Sequence, residues 1–182
     1  NEHYNKELTS ARIYLNFASY FGNINYENTK DYFHKKWNEE NEHAEKFFNF
    51  LDDVNVFPLI KAESEDPLIP NDIFQAFRDA YQHEIGISNS LRELMNIAKN
   101  ENEYEVEEFL FDFIKEQVEE EKEFEVLISE MQRNSKFDPE VYLFDNFLEK
   151  KDESIKLTKD IRIEAKEGRF ILSKNDKIQV IK

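Results

Sequence analysis

Thr29–Leu51 reads TKDYFHKKWNEENEHAEKFFNFL. Phe33, Trp37, Ala44, Phe47 and Leu51 recur at the three- and four-residue steps of one helical face. Glu40 falls inside that stripe, where an apolar residue belongs, and His43 lies beside Ala44. A carboxylate on a buried face is costly unless positive charge meets it. Three further stripes carry the same fault. Tyr4, Leu8, Ala11, Tyr14, Ala18 and Phe21 enclose Glu7; Phe77, Ala80, Ile87, Leu91 and Leu94 enclose Glu84; Val106, Leu110, Phe113, Phe124, Leu127 and Met131 enclose Gln117 and Glu120. Four carboxylates at one level of one core call for a metal.

Outward from these stripes the chain divides cleanly. A first helix is expected over roughly 1–24, broken by Gly22, Asn23 and Asn25, and a second from a cap at Asn28 or Thr29 to about Val54. Residues 55–70 hold Pro58, Pro67 and Pro70 without periodicity, long enough to carry the chain along a bundle. Asn71 or Asp72 caps a third helix to about Asn100, and a fourth runs from about Asn102 to Arg133. Short, long and short connections predict an all-α four-helix bundle with one long crossover over residues 1–134. Asp138-Pro139-Glu140 signals a short fifth helix within 135–151. Beyond it, Ile155, Leu157, Ile161, Ile163 and Ala165, with one polar gap, then Phe170 and Leu172, then Ile178 and Val180 alternate with polar residues. That pattern predicts a β-hairpin or three-stranded meander in 152–182, the alternative being a flexible tail.

Composition narrows the function classes. The chain has 182 residues, 17 Phe and 8 Tyr, yet only 3 Gly and 4 Pro, which favours long helices over a turn-rich β fold. The absence of cysteine excludes disulfides, cysteine-based zinc sites, iron–sulfur clusters and thiol catalysis, and suits a reducing, cytoplasmic setting. A net charge of −16 repels nucleic acid and anionic lipid and attracts cations. The charge is uneven: residues 152–182 carry +2 and the rest −18, which allows the tail to lie across an acidic body. No apolar run reaches membrane-spanning length, and the polar, helix-patterned Asn1–Ser10 predicts no targeting segment.

Spacing ties the intruding residues together. The interval from Glu7 to His43 is 36 residues, as is that from Glu84 to Glu120; Glu7 to Glu40 and Glu84 to Gln117 are both 33. Two helical hairpins therefore present donors in the same register, which implies an approximate two-fold axis and two metal ions. Four carboxylates balance two divalent cations, with His43 and Gln117 as neutral donors. Oxygen-rich ligation with a single imidazole suits iron or manganese better than zinc or copper. His3, His34 and His83 show no such convergence and read as structural or surface residues.

The arrangement resembles the ferritins, whose di-iron site takes Glu from two helices and Glu-x-x-His from two others. The strings that carry the likeness are Asn5-Lys6-Glu7-Leu8-Thr9-Ser10-Ala11, Glu39-Glu40-Asn41-Glu42-His43-Ala44, His83-Glu84 and Glu116-Gln117-Val118-Glu119-Glu120-Glu121. Gln117-Val118-Glu119-Glu120 has no second histidine, which is similar to the non-haem bacterial ferritins. Asn41 stands where the bacterioferritin pattern has a haem-ligating Met, so no haem is expected. The resemblance implies that Glu7, Glu40, His43, Glu84, Gln117 and Glu120 form a ferroxidase centre. It matches Tyr14 to the tyrosine beside that centre, although a plain core aromatic would occupy the same place. It matches Glu39, Glu116 and Glu119 to a third iron site; the plainer reading is solvated helix charge.

The activity so implied is oxidation of Fe(II) by O₂ and storage of Fe(III) in a hollow 24-subunit cage, without nucleic-acid or membrane partners. Two other readings remain. A non-storage di-iron oxidoreductase such as a rubrerythrin-like peroxidase normally carries a cysteine-ligated electron donor, which this chain lacks. A purely structural relative with a degraded site conflicts with all six ligand positions being filled.

Overall fold

The computed structural model describes residues 1–62 and 68–134, Leu148, and the backbone of 161–166, 169–174 and 177–180. Four long helices dominate: α1 (Glu2–Asn23), α2 (Glu27–Asp53), α3 (Ile73–Glu101) and α4 (Tyr104–Asn134). Helix α1 packs along α2, α3 packs along α4, and α1 meets α3 across the bundle.

Asparagine ends three of these helices. Asn25, Asn55 and Asn102 are the non-glycine residues with positive φ among the described residues, at 63°, 57° and 60°. Each follows a helix in the left-handed conformation that asparagine tolerates better than most residues. Around each, two backbone bonds close a Schellman motif. Tyr26 N–H donates to Phe21 O and Asn25 N–H to Gly22 O; Val56 to Leu51 and Asn55 to Asp52; Glu103 to Ala98 and Asn102 to Lys99. The Tyr26 ring then packs edge-on against Phe21, 6.4 Å between centroids. In a glycine-poor chain, asparagine does the work usually left to glycine.

Helix starts differ in detail from the expectation. Asp72 caps α3, its side chain accepting from Gln75 N–H at 2.7 Å. Helix α2, however, begins at Glu27 with Tyr26 in the cap position and no side-chain cap bond, so neither Asn28 nor Thr29 caps it. The Schellman turn ending α1 fixes Tyr26 and leaves α2 to start at once.

The segment between α2 and α3 is tied to α1 at two places. Asn1 and Asn5 clasp Leu59 and Lys61 through side-chain bonds to their backbone N–H groups, both 2.7 Å. Asn71 O accepts from the Tyr20 hydroxyl at 3.1 Å. Asn5 and Tyr20 are separated by about 22 Å of helix, so the crossover traverses most of the bundle.

The core comprises two apolar clusters. One gathers Tyr14, Phe17, Phe21, Phe33, Phe77 and Phe124 with Leu127, Met131 and Leu148. The other gathers Tyr4, Ala44, Phe47, Leu91, Leu110 and Phe113. Between them each helix passes through the polar level, at Glu7, Lys36 and Glu40, Glu84, and Gln117. Of the fifth helix expected over 135–151, all but Leu148 lies outside the described residues; Leu148 is buried in the first cluster. In the tail, β1 (Ile161–Lys166), β2 (Arg169–Lys174) and β3 (Lys177–Val180) form an antiparallel sheet in chain order. Ile163 pairs with Leu172, and Ser173 with Ile178. No described helix is long and apolar enough to cross a membrane.

Candidate metal centre

Each helix brings its polar residue inward because the flanking apolar residues, three or four positions away, fix its rotation. Glu7, Glu40 and Glu84 are at most 2% exposed, and Gln117 is 6% exposed. Donor atoms of Glu7, Glu40 and His43 lie within 4.8 Å of one another, as do those of Glu40, Glu84 and Glu120. Glu40 is common to both sets. His43 Nδ1 stands 3.7 Å from Glu7 Oε2 and 3.7 Å from Glu40 Oε2. Glu84 is held from two sides: the Tyr14 hydroxyl donates to Oε1 and Gln117 Nε2 to Oε2, the amide also reaching Glu84 O at 3.2 Å.

Unpaired charge marks the site. The buried oxygens Glu7 Oε2, Glu40 Oε1 and Glu120 Oε2 have no hydrogen-bond partner. Burial pushes the carboxyls of Glu7, Glu40 and Glu120 up to about 7, and pushes Glu84 well above the ordinary carboxylate range. Burial opposes the charge of His43, but Glu40, Glu7 and Glu120 outweigh it and raise the imidazole to about 9. Buried polar atoms are normally satisfied. A cluster of hard oxygen donors and one imidazole, with three of the carboxylate oxygens left without a proton donor, fits divalent metal.

Two residues join this level that the sequence reading did not place there: Lys36, which it did not consider, and His3, which it read as structural or surface. The expected stripe of α2 ran through Trp37; in the structure Trp37 is partly buried and Lys36 is the interior residue, 4% exposed. The signal was present: Phe33, Lys36, Glu40, His43 and Phe47 also step by three and four. A lysine at such a position is normally read as solvated, because only packing reveals partners for its charge. His3 is the second. It is buried, with Nε2 2.7 Å from Glu7 Oε1 and Nδ1 3.0 Å from Ser90 Oγ. His83 is half-buried, 2.7 Å from Ser10 Oγ, whereas His34 is exposed. Burial pushes His3 and His83 down to about 4, keeping both neutral.

Glu39, Glu116 and Glu119 do not converge as a ligand set among the described residues. Glu39 turns to Lys35 and Lys36, at 3.3 and 3.1 Å. Glu116 pairs with Lys46 and with His43 Nε2, both at 3.3 Å. Glu119 lines a surface cleft of about 440 Å³ with Lys46, Asp112 and Lys115.

The family described as Ferritin, Ferritin-like domain, matches residues 1–134, the whole of the four-helix region. This chain belongs to the ferritin family. As a ferritin it is 28% identical over 148 residues to the bacterial non-heme ferritin of Staphylococcus aureus, covering 81% of this chain and 89% of that one. Its identity to the Staphylococcus epidermidis non-heme ferritin is 26% over the same length. Among solved structures it superposes on an open-pore ferritin from Archaeoglobus fulgidus with a TM-score of 0.77 and 28% identity, covering 81% of this chain and 90% of that one. A closed form of the same archaeal ferritin, engineered by mutagenesis, gives 0.76. The family match ends with the helical bundle, at residue 134.

Proposed function

We propose that this chain is an iron-storage ferritin that oxidises Fe(II) with O₂ at a dinuclear centre within each subunit. The observation that carries the reading is the sharing of Glu40 between two converging donor sets, alongside three buried carboxylate oxygens without partners. Glu7 and His43 hold one Fe(II), Glu84 and Glu120 hold the other, and Glu40 bridges them. Tyr14 and Gln117 orient Glu84 by donating to its two oxygens. His3 Nε2 lies beside the far oxygen of Glu7, and Oε2 is turned to the metal level. Each Fe(II) is a substrate and gives one electron to O₂. Two divalent ions neutralise the four carboxylates, which desolvation otherwise sets against one another.

Storage needs a closed shell, and we assign this chain to a 24-subunit cage in the cytoplasm. The support is likeness to ferritins over the full bundle, together with a −16 charge that draws cations toward the protein. Stopped-flow absorbance of Fe(II) oxidation tests the centre. Glu40→Ala and His43→Ala are expected to fall to the buffer autoxidation rate; undiminished O₂ uptake would refute the assignment. Light-scattering mass tests the cage, and a monomer- or dimer-sized particle would overturn storage.

A further inference from the structure

Among the described residues, Lys36 is a buried charged group of this level with no role in the dinuclear reading. Its side chain is 5% exposed, and its ammonium sits among three carboxylates. Nζ lies 3.1 Å from Glu39 Oε2, 3.1 Å from Glu123 Oε2 and 3.9 Å from Glu120 Oε1. The face of Phe124 lies beneath it, 5.7 Å to the ring centroid. The ammonium is paired with one carboxylate on its own helix and faces two on α4. Glu120 thus faces two ways. Oε1 is turned to Lys36, and Oε2 has no partner and belongs to the metal level.

Three carboxylates around one buried positive charge is what a bound cation would look like, with the cation supplied by the chain. We propose that the Lys36 ammonium is a resident third cation, filling the pocket of Glu39, Glu120 and Glu123 so that each subunit loads two metal ions and not three. Lys36 acts as a positioning residue. It engages the inner oxygen of Glu39 and faces the outer oxygen of Glu120. Selectivity follows from charge: a divalent ion entering this pocket must displace an ammonium whose stem is packed against Phe124, and like charges repel at such range. The inference rests on the dinuclear reading only for the identity of the two ions beside it.

Crystals of the full chain soaked in Zn(II), which O₂ does not oxidise, test it by anomalous scattering. Wild type is expected to show two peaks, one at Glu7, Glu40 and His43 and one at Glu40, Glu84 and Glu120. Lys36→Gln is expected to add a third peak between Glu39, Glu120 and Glu123. Lys36→Met, which preserves the packed stem, is expected to do the same, and Lys36→Arg to stay at two. A third peak in that pocket of wild type overturns the proposal, and this arm needs no variant to fold. Its absence from both Lys36→Gln and Lys36→Met overturns it equally. Loss of the first two peaks in wild type would instead count against the dinuclear reading, so the two failures are distinguishable.

Discussion

At the residue scale the centre sets the protein's response to pH. Glu7, Glu40 and Glu120, raised to about 7 from an ordinary 4.5, hold protons in the folded chain that the unfolded chain has released. Their contribution to stability is full below pH 4.5 and is lost as pH rises through 7. His43, raised from 6.5 to about 9, behaves alike: full below 6.5 and lost through 9. His3 and His83, lowered to about 4, act in the opposite sense and cost stability only as pH falls below 6.5. Between pH 6.5 and 9 a single sign therefore remains. The thermal midpoint of the metal-free protein is expected to fall across that window, read by calorimetry. Saturating Zn(II) is expected to flatten the fall, because metal replaces the missing protons. A metal-free midpoint that rises from 6.5 to 9 would contradict the burial of these carboxyls.

At the element scale, helix ends were the weakest part of the sequence reading. Periodicity located four helices correctly because their buried faces repeat over many turns. Caps depend on one residue's backbone, and the Schellman turn at Asn25 moved the start of α2 to Glu27. Asn102 offers the sharpest test, with φ at 60° between α3 and α4. Asn102→Ala is expected to lose about 1 kcal/mol in chemical denaturation, since a Cβ in the left-handed region is strained without asparagine's local bonds. Asn102→Gly is expected to match or exceed wild type. Equal stability for alanine and glycine would show that this turn relaxes out of the left-handed region. Phe33 belongs to the same scale. It is fully buried and contacts Phe17, Phe21 and Phe77 at centroid distances of 5.2, 5.7 and 5.0 Å. Phe33→Ala is expected to cost about 3–5 kcal/mol.

At the scale of the whole molecule, the bundle holds all six proposed ligands, and the tail supplies none. Ending the chain after Lys151 is expected to leave the initial Fe(II) oxidation rate unchanged. Ending it after Asn134 removes Leu148 from the core, where it is 5% exposed against the aromatic cluster. That shorter chain is expected to lose about 2–5 kcal/mol, the range for deleting a buried leucine side chain. Denaturation of the two truncations side by side separates the outcomes. Equal stability would mean that Leu148 adds nothing to the core.

The sequence by itself determined the helix count, the long crossover and the positions of Glu7, Glu40, His43, Glu84, Gln117 and Glu120, because helical period and equal 36-residue intervals are local properties of the chain. Alternation in the tail pointed to a hairpin or meander without fixing strand number or bounds, and the described backbone there forms three strands. Only the tertiary structure decided that Glu40 is common to both donor sets, that His3 lies against Glu7, and that Lys36 rather than Trp37 turns inward. The physical reason is the same in each case. A charged side chain becomes an interior residue only when partners on other helices meet its charge, and no reading along one helix contains those partners.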